Sequence, residues 1–452
     1  MTEAVRYRFE PLERRGILLG LGPLRLAVLV ACVLVAFALV TAGLGAAGFA
    51  AAVVVVGLGG LLCKSVGARA VLGWVGIGLS YAGRRRSAVT SPPPLRAVAR
   101  SVPNSSPPVR SSAWLRLPEL AFAGGVRIWE LPPGADRAGC GVLVDQRAGM
   151  VASVLRARGG AFCLLDEPEQ QRKLAAWGSI LESLANHSGS LARLQWCQRS
   201  LPGDGDALVR HLRQAGDPAS PALAGQLRLA EGAGPKSWQH ETLLVVAVRW
   251  QGRLGRVDPP QADQLRNEVR ALRDQLRGAG VACEPALDAQ GIATAVGRYL
   301  SPGLGRYPGA YQWPLAVEEH WGEIRVDGAW HRTYWVAEWP RSDVGPDFLS
   351  PLLLGPGTRS FSVVLAPVSP EQASRDAESL RTAHLADSHL RAQGGFLETA
   401  KHRRRVEAVE GREEQLANGR GVFELAGFVS ISAESLADLE QASSGLERAA
   451  GS

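Results

Sequence analysis

The 452-residue chain is predicted to be an α+β protein in which an N-terminal transmembrane helical hairpin precedes a mixed-sheet α/β cytoplasmic body with two long C-terminal helices. Three observations predict this class. Residues 26–63 carry no charge, residues 87–118 are rich in proline and serine, and the remainder alternates short apolar runs with amphipathic stretches. With 21% charged and 46% hydrophobic residues, the composition is typical of a folding globular chain.

The uncharged stretch is too long for one membrane-spanning helix. A single helix of that length would extend about 57 Å, nearly twice the roughly 30 Å hydrocarbon core of a bilayer. Gly43 and Gly45 interrupt the Leu/Val run and predict a tight hairpin turn. We therefore expect a transmembrane hairpin over residues 24–64, preceded by a cytoplasmic segment over 1–23. A cleaved signal peptide and a buried soluble helical hairpin are the two alternatives.

Basic residues flank the predicted hairpin on both sides. The first 120 residues hold 14 Arg or Lys against 4 Asp or Glu, whereas the net charge of the whole chain is only +7. The flanking basic residues are Arg14, Arg15, Arg25, Lys64, Arg69, Arg84, Arg85 and Arg86. By the positive-inside rule, these charges predict a multi-pass protein of the plasma membrane, in contact with inner-membrane lipid and with both termini in the cytoplasm.

Two segments separate the hairpin from the folded body. Residues 65–86 are apolar, glycine-rich and basic at their end, which predicts an amphipathic helix at the membrane interface, with a third span as the alternative. Residues 87–118 contain seven prolines and many serines, and this composition is typical of an extended linker.

The body is predicted to comprise two α+β subdomains, over residues 119–235 and 236–452. Its first subdomain contains a β-hairpin that turns at residues 146–149 and then an amphipathic helix over residues 167–186. In the second, the apolar run at 242–250 predicts a buried strand. An amphipathic helix and another strand follow, which together make a βαβ-type unit. The apolar stripe of that helix consists of Leu265, Val269, Leu272 and Leu276.

The second subdomain ends with a tryptophan-rich segment, a predicted pair of long helices, and a final strand and helix. Five of the twelve tryptophans lie between Trp313 and Trp339, and we expect core strands there rather than a stacking surface for single-stranded nucleic acid, because the nearby charges are mixed. A long helical pair is predicted over residues 369–418. The final strand and helix predict that the last strand of the sheet is absent or supplied elsewhere, which would leave an unfinished sheet after Ser432.

The sequence contains no recognisable catalytic, cofactor or metal motif. The string EGAGPKSW at 231–238 has Pro235 where a phosphate-binding loop needs glycine, and a strand rather than a helix follows it. His384 and His389 are five residues apart, so on a helix they point in different directions and do not share a metal ion. We therefore expect no cofactor, no metal and no enzymatic activity. The six cysteines form no C-x-x-C pair, which favours a reducing compartment.

Four segments of the chain resemble a known family when taken as an ordered set. They are YRFEPLERRGILLGL, LLDEPEQQRKLAAWGSILESLA, TYWVAEWPRSDVGPDFLSPLLL and GVFELAGFVSISAESLADLE. The set resembles actinobacterial two-helix membrane proteins of type IV secretion or conjugation-like gene clusters. That family is similar to a small two-helix inner-membrane subunit joined to the non-motor amino-terminal domain of the secretion ATPase.

The resemblance implies a non-catalytic, membrane-anchored scaffold in a hetero-oligomeric secretion or conjugation-like machine. Its expected partners are a separate motor ATPase, which it would position at the cytoplasmic face, and other channel subunits. Apolar faces and strand edges would make these contacts. A membrane-tethered protein that binds single-stranded DNA during conjugation is the less favoured alternative. A membrane-bound hydrolase without a familiar motif is a third.

Overall fold

A computed structural model of the chain describes most of the body and the helices near the N-terminus. The described residues are 9, 23–42, 45–66, 69–88, 115–116, 126–131, 139–160, 162–187, 191–202, 205–217, 220–233, 238–250, 259–302, 317–340, 342–345, 347–393, 411, 414–416 and 418–451. The chain divides into two compact units, one formed by residues 8–95 with 337–343, and the other by the remainder.

The smaller unit consists mainly of helices. Two helices form a packed pair, and a two-stranded ribbon and a third helix follow them. Gly59 lies against Cys32, where an added Cβ would come within 2.9 Å of the Cys32 Sγ, so glycine permits this close approach. The elements are α1 (Pro23–Thr41), α2 (Gly45–Cys63), β1 (Ser65–Val66), β2 (Arg69–Ala70) and α3 (Val71–Ala88).

The predicted membrane anchor is not found in this unit. Helices α1 and α2 have 19 residues each. Within the described part of the chain, no helix combines the length and the apolar character that a crossing requires. The predicted transmembrane hairpin, the third-span alternative and the multi-pass plasma-membrane location are therefore wrong. The helical pair itself exists, and Phe37 and Phe49 are exposed on it.

The larger unit is built on one sheet to which twelve of the described strands belong. Eleven strands follow the order β10-β11-β12-β14-β13-β7-β8-β6-β5-β4-β3, and β9 pairs with β6. They are β3 (Leu115–Arg116), β4 (Val126–Leu131), β5 (Cys140–Asp145), β6 (Met150–Arg158), β7 (Leu191–Pro202), β8 (Trp238–Arg249), β9 (Ala282–Ala286), β10 (Val317–Glu319), β11 (Ile324–Val326), β12 (Ala329–Trp335), β13 (Thr358–Val368) and β14 (Val422–Ala433).

Every pairing described in this sheet is antiparallel, so the predicted mixed sheet is wrong. The predicted strand–helix–strand unit is present as β8, a helix and β9. However, its two strands do not pair with each other, because each of them pairs antiparallel with β6. The apolar run in β8 predicted a buried strand, and this is confirmed because Leu243, Leu244 and Val246 are buried in it.

The described helices of this unit connect and cover the strands. They are α4 (Glu167–His187), α5 (Gly205–Ala215), α6 (Pro221–Ala233), α7 (Pro259–Gly278), α8 (Ala289–Leu300), α9 (Ser350–Leu353), α10 (Pro370–Gln393) and α11 (Leu436–Gly451). The apolar stripe predicted for α7 is buried along its whole length, which confirms that helix. The first helix of the long C-terminal pair is α10, whereas most of the second falls outside the described residues.

The sheet curves around α8. Glu130 on β4 accepts a hydrogen bond from the backbone N–H of Ala289 at 2.5 Å, and at the other end of the helix His331 on β12 bonds the carbonyl of Leu300 at 2.8 Å. In a flat sheet β4 and β12 would lie about 34 Å apart, whereas a 12-residue helix is about 18 Å long. One helix therefore reaches both strands only because the sheet is concave towards it.

Other helices cover the opposite, convex face. Arg332, adjacent to His331 and on the other side of β12, bonds Glu440 and Ser443 of α11. Helix α11 follows β14, and the end of β14 around Ser432 pairs with β13 on one side and with β12, over residues 428–433, on the other. The predicted free strand edge at Ser432 is therefore wrong, because Ser432 pairs with both His331 and Thr358.

Candidate functional site: the concave face

The concave face is charged and buried where α8 covers it. Arg199 on β7 is 2% exposed and lies opposite Glu241 on β8, which is 7% exposed, and the two side chains form an ion pair. Arg199 also donates from Nη1 to the carbonyl of Ala295 at 2.7 Å. Because Ala295 belongs to α8, this guanidinium fixes the helix to the sheet.

The ion pair extends across the sheet into a network. The Oε1 atom of Glu241 accepts from Arg156 Nε at 2.9 Å, and Arg156 Nη1 lies 3.4 Å from Glu284 Oε2. Arg158 completes the row with a 2.8 Å ion pair to the other oxygen of Glu284. Alternating charges on β7, β8, β6 and β9 therefore compensate one another beneath and beside α8.

The network sets the protonation of its own groups. Burial alone would raise the pKa of Glu241, but the charge and hydrogen bond of Arg199, with the charges of Arg156 and Arg298, hold that pKa below its usual value. Burial raises the pKa of the Cys197 thiol to about 11, so this cysteine is protonated at neutral pH. The covered half therefore contains neither an available base nor an activated nucleophile among these groups.

His331 fixes the C-terminal end of α8. It is 5% exposed, its Nε2 lies 2.8 Å from the Leu300 carbonyl, and its Nδ1 lies 2.7 Å from Ser432 Oγ. A carbonyl only accepts, so Nε2 carries the proton and Nδ1 accepts from the Ser432 hydroxyl. Burial lowers the pKa of His331 and outweighs the opposing effect of the Leu300 carbonyl. The neutral imidazole is therefore the form that holds the helix.

The same face is open at the other end of its strands. Trp335 on β12 and Phe428 on β14 are register partners, and their side chains are 39% and 37% exposed. Trp335 lies four residues after His331, and Phe428 lies four residues before Ser432, the partner of His331. Because side chains an even number of residues apart on a strand share a face, both rings lie on the concave face with His331. We call these two residues the aromatic pair.

A polar groove of about 460 Å³ lies further along the same strands. Its lining residues are Ala148, Gly149, Met150, Ala192, Arg193, Arg249, Trp250, Ala366, Pro367, Val368, Gln372 and Glu424. Arg193, Arg249 and Glu424 are exposed and lie on the concave side of β7, β8 and β14. We call this feature the arginine groove. It continues the open half of the concave face beyond the aromatic pair.

The described residues include a contact between a serine and a histidine, which is the pairing that a nucleophilic site uses. Ser200 Oγ lies 3.0 Å from His240 Nδ1, but Ser200 is buried and its hydroxyl also reaches the Leu353 carbonyl at 3.3 Å. A buried hydroxyl in this position has no access to a substrate. No group of three or more His, Cys, Asp or Glu in the described part of the chain is placed to hold a metal ion.

The residues that the sequence singled out belong to the smaller unit or lie outside the described residues. Gly45 begins α2 with a φ of +58°, a conformation that favours glycine, whereas Gly43 lies outside the described residues. The described basic residues of the flanks belong to the smaller unit. Arg14 and Arg15 lie outside the described residues, Arg25 is in α1, exposed Lys64 follows α2, Arg69 is in β2, and Arg84, Arg85 and Arg86 are in α3.

The tryptophan-rich segment is not the core that the sequence predicted. Trp321 is 59% exposed and Trp335 is 39% exposed. Trp330 lies on the opposite side of β12 from Trp335, with the Arg325 guanidinium 5.5 Å from its ring centre. The prediction that this segment forms core strands is therefore wrong for Trp321 and Trp335, which are exposed. The rings of Trp330 and Trp335 also do not share one stacking surface, because they lie on opposite faces of β12.

Sequence reasoning missed the buried network and the aromatic pair. A signal for the network was present, because Glu241 stands next to the apolar run at 242–248, and a charge in a buried strand requires a partner. No local signal identifies which residues pair, since 42 positions separate these two.

No protein-family model matches the chain, and no curated protein matches its sequence. The assignment to type IV secretion or conjugation, which the resemblance implied, is corrected accordingly, because neither comparison supports it.

Proposed function

We propose that the chain is a non-catalytic scaffold that binds and positions a separate protein through the open half of its concave face. The observation that carries this proposal is the exposed aromatic pair, Trp335 and Phe428, on a sheet whose other half is tightly filled. Exposed aromatic side chains are typical of protein interfaces, where tryptophan is enriched among the residues that dominate binding energy.

The proposed partner is a separate motor ATPase. Nothing in the covered half competes with a binding role, because its charged groups are paired and its thiol is protonated. The curved sheet, fixed by α8, offers a rigid surface, and a rigid surface loses little conformational entropy on binding.

The test is a binding measurement with the full chain and the P-loop ATPase encoded in the neighbouring genes. We expect the Trp335→Ala/Phe428→Ala variant to bind at least tenfold more weakly than the wild type. Trp321→Ala is the matched control, because Trp321 is also exposed but does not belong to the aromatic pair. Failure of the wild-type chain to bind the ATPase, or equal affinities of the double variant and the control, would contradict the proposal.

Single-stranded DNA is a second candidate partner, favoured by the exposure of Trp321 and Trp335. Binding through these rings would weaken in both Trp321→Ala and Trp335→Ala, whereas binding of the ATPase would weaken only in the latter. A steep decrease of DNA affinity with salt would support this candidate. An affinity for single-stranded DNA that both substitutions leave unchanged would remove it.

A further inference from the structure

The arginine groove presents two positive charges that the folded chain does not use. Arg193 on β7 and Arg249 on β8 make no ion pair or hydrogen bond through their side chains with any described residue, although each lines the groove. This differs from the covered half, where Arg156 and Arg199 are both paired with carboxylates. Two neighbouring guanidinium groups without a carboxylate partner favour an external anion.

Trp250, which also lines the groove, has a buried hydrogen-bond donor that lacks a partner in the described part of the chain. The indole N–H of Trp250, the residue after Arg249, is buried and meets no acceptor among the described residues. An indole nitrogen only donates, so what it lacks is an acceptor oxygen. Gln372, in the first turn of α10, lines the same groove and brings the positive end of that helix towards it.

The opposite wall of the groove limits the kind of anion that fits. Glu424 lines it from β14 and likewise makes no ion pair with a described residue. This carboxylate disfavours a ligand that is negative on all sides and favours one that offers an N–H or ammonium donor beside its anionic group. A peptide segment with acidic side chains meets both requirements, since each of its residues also carries a backbone N–H.

The groove and the aromatic pair lie within reach of one peptide. Glu424 and Phe428 are four residues apart on β14, which corresponds to about 13 Å along a strand. Ala426 lies between them on the same face. A segment of about five extended residues covers this distance.

We infer that the arginine groove binds the carboxylates of an acidic segment of the partner, next to apolar residues that contact the aromatic pair. This inference rests on the proposed function and specifies its ligand. Arg193 and Arg249 contact the carboxylates, and Trp250 lies beside them in the groove lining.

Trp250 provides the readout of a direct test with the full chain. In protein labelled with ¹⁵N-tryptophan, the Trp250 indole N–H signal is assigned by its loss in Trp250→Phe. The probe is a blocked tetraglutamate peptide, with blocked tetraglutamine as the uncharged control and inorganic phosphate as the small-anion control. We expect tetraglutamate to shift this signal with saturation, and tetraglutamine to leave it unchanged.

Matched variants show whether the two arginines are responsible. Arg193→Gln/Arg249→Gln should weaken the tetraglutamate response at least tenfold, whereas Arg172→Gln, at an exposed arginine on α4, should not change it. No response to tetraglutamate, or an equal response in the double variant, would overturn the inference. Saturation by phosphate without a response to the peptide would also overturn it, in favour of a small anion.

The aromatic pair keeps this test separate from that of the proposed function. Trp335→Ala/Phe428→Ala should retain the tetraglutamate response while it loses the ATPase. If the ATPase does not bind but the arginine groove still binds the acidic peptide, the partner is wrong and the groove assignment stands.

Discussion

The two halves of the concave face use the same strands in opposite ways. Under α8, Arg199, Glu241 and His331 are buried and fully engaged with the helix or with one another. At the other end of these strands, Phe428 and Arg193 are exposed. Burial and pairing therefore assign one half to stability, and exposed aromatic and charged groups assign the other half to binding.

The largest expected effect comes from breaking the buried ion pair. Glu241→Leu leaves Arg199 buried without its carboxylate, and we expect the free energy of unfolding to fall by about 3–5 kcal/mol. Urea denaturation followed by circular dichroism measures this loss. The double variant Arg199→Met/Glu241→Leu should be closer to the wild type than Glu241→Leu, because it buries no unpaired charge. A single variant as stable as the wild type would show that the pair does not hold α8.

The second effect is a pH dependence of stability that His331 causes. The folded-state pKa of His331 lies below its usual value of 6.5, so the unfolded chain binds its proton more readily than the folded chain. Stability from this group is therefore present above pH 6.5 and is lost as the pH falls below it, by at most about 1.4 kcal/mol per pH unit.

The control for this prediction is His331→Phe, which has no titrating group at this position. We expect the variant to be less stable by about 1–3 kcal/mol at neutral pH, because the Leu300 carbonyl loses its donor. Its stability should change less between pH 7 and pH 5 than that of the wild type. Parallel pH profiles of the two proteins would contradict the role of the neutral imidazole.

The smallest effect on stability is expected in the arginine groove. Arg193→Gln and Arg249→Gln remove exposed side chains that make no ion pair within the described part of the chain, so each should change the free energy of unfolding by less than about 0.5 kcal/mol. The same urea titration measures this difference. A loss above about 2 kcal/mol would mean that these residues belong to the stabilising half.

Local patterns predicted the elements better than their arrangement. The turn between β5 and β6 followed from residues 146–149, where Gly149 has a φ of +61° and Asp145 accepts the backbone N–H groups of Arg147 and Ala148. The stripe on α7 predicted its buried face correctly, because helical periodicity is a local property.

Long-range features could not be obtained in this way. The curvature of the sheet depends on contacts such as those of Glu130 and His331 with the two ends of α8, which are remote in the sequence. Trp335 and Phe428 become neighbours only through the register of β12 and β14. The sequence prediction used residue type alone and therefore placed Trp335 in the core. Strands β8 and β9 both pair with β6, which lies about 80 residues or more before them in the sequence, so no local pattern indicates this pairing.

The most direct test measures ATPase affinity and unfolding free energy on the same two proteins, Trp335→Ala/Phe428→Ala and Glu241→Leu. We expect the aromatic variant to lose at least tenfold in affinity while its stability falls by less than the 3–5 kcal/mol that Glu241→Leu loses. Glu241→Leu, assayed where it is still folded, should keep the wild-type affinity. An aromatic variant that binds like the wild type, or a folded Glu241→Leu that does not bind, would contradict the division of the concave face into a stabilising half and a binding half.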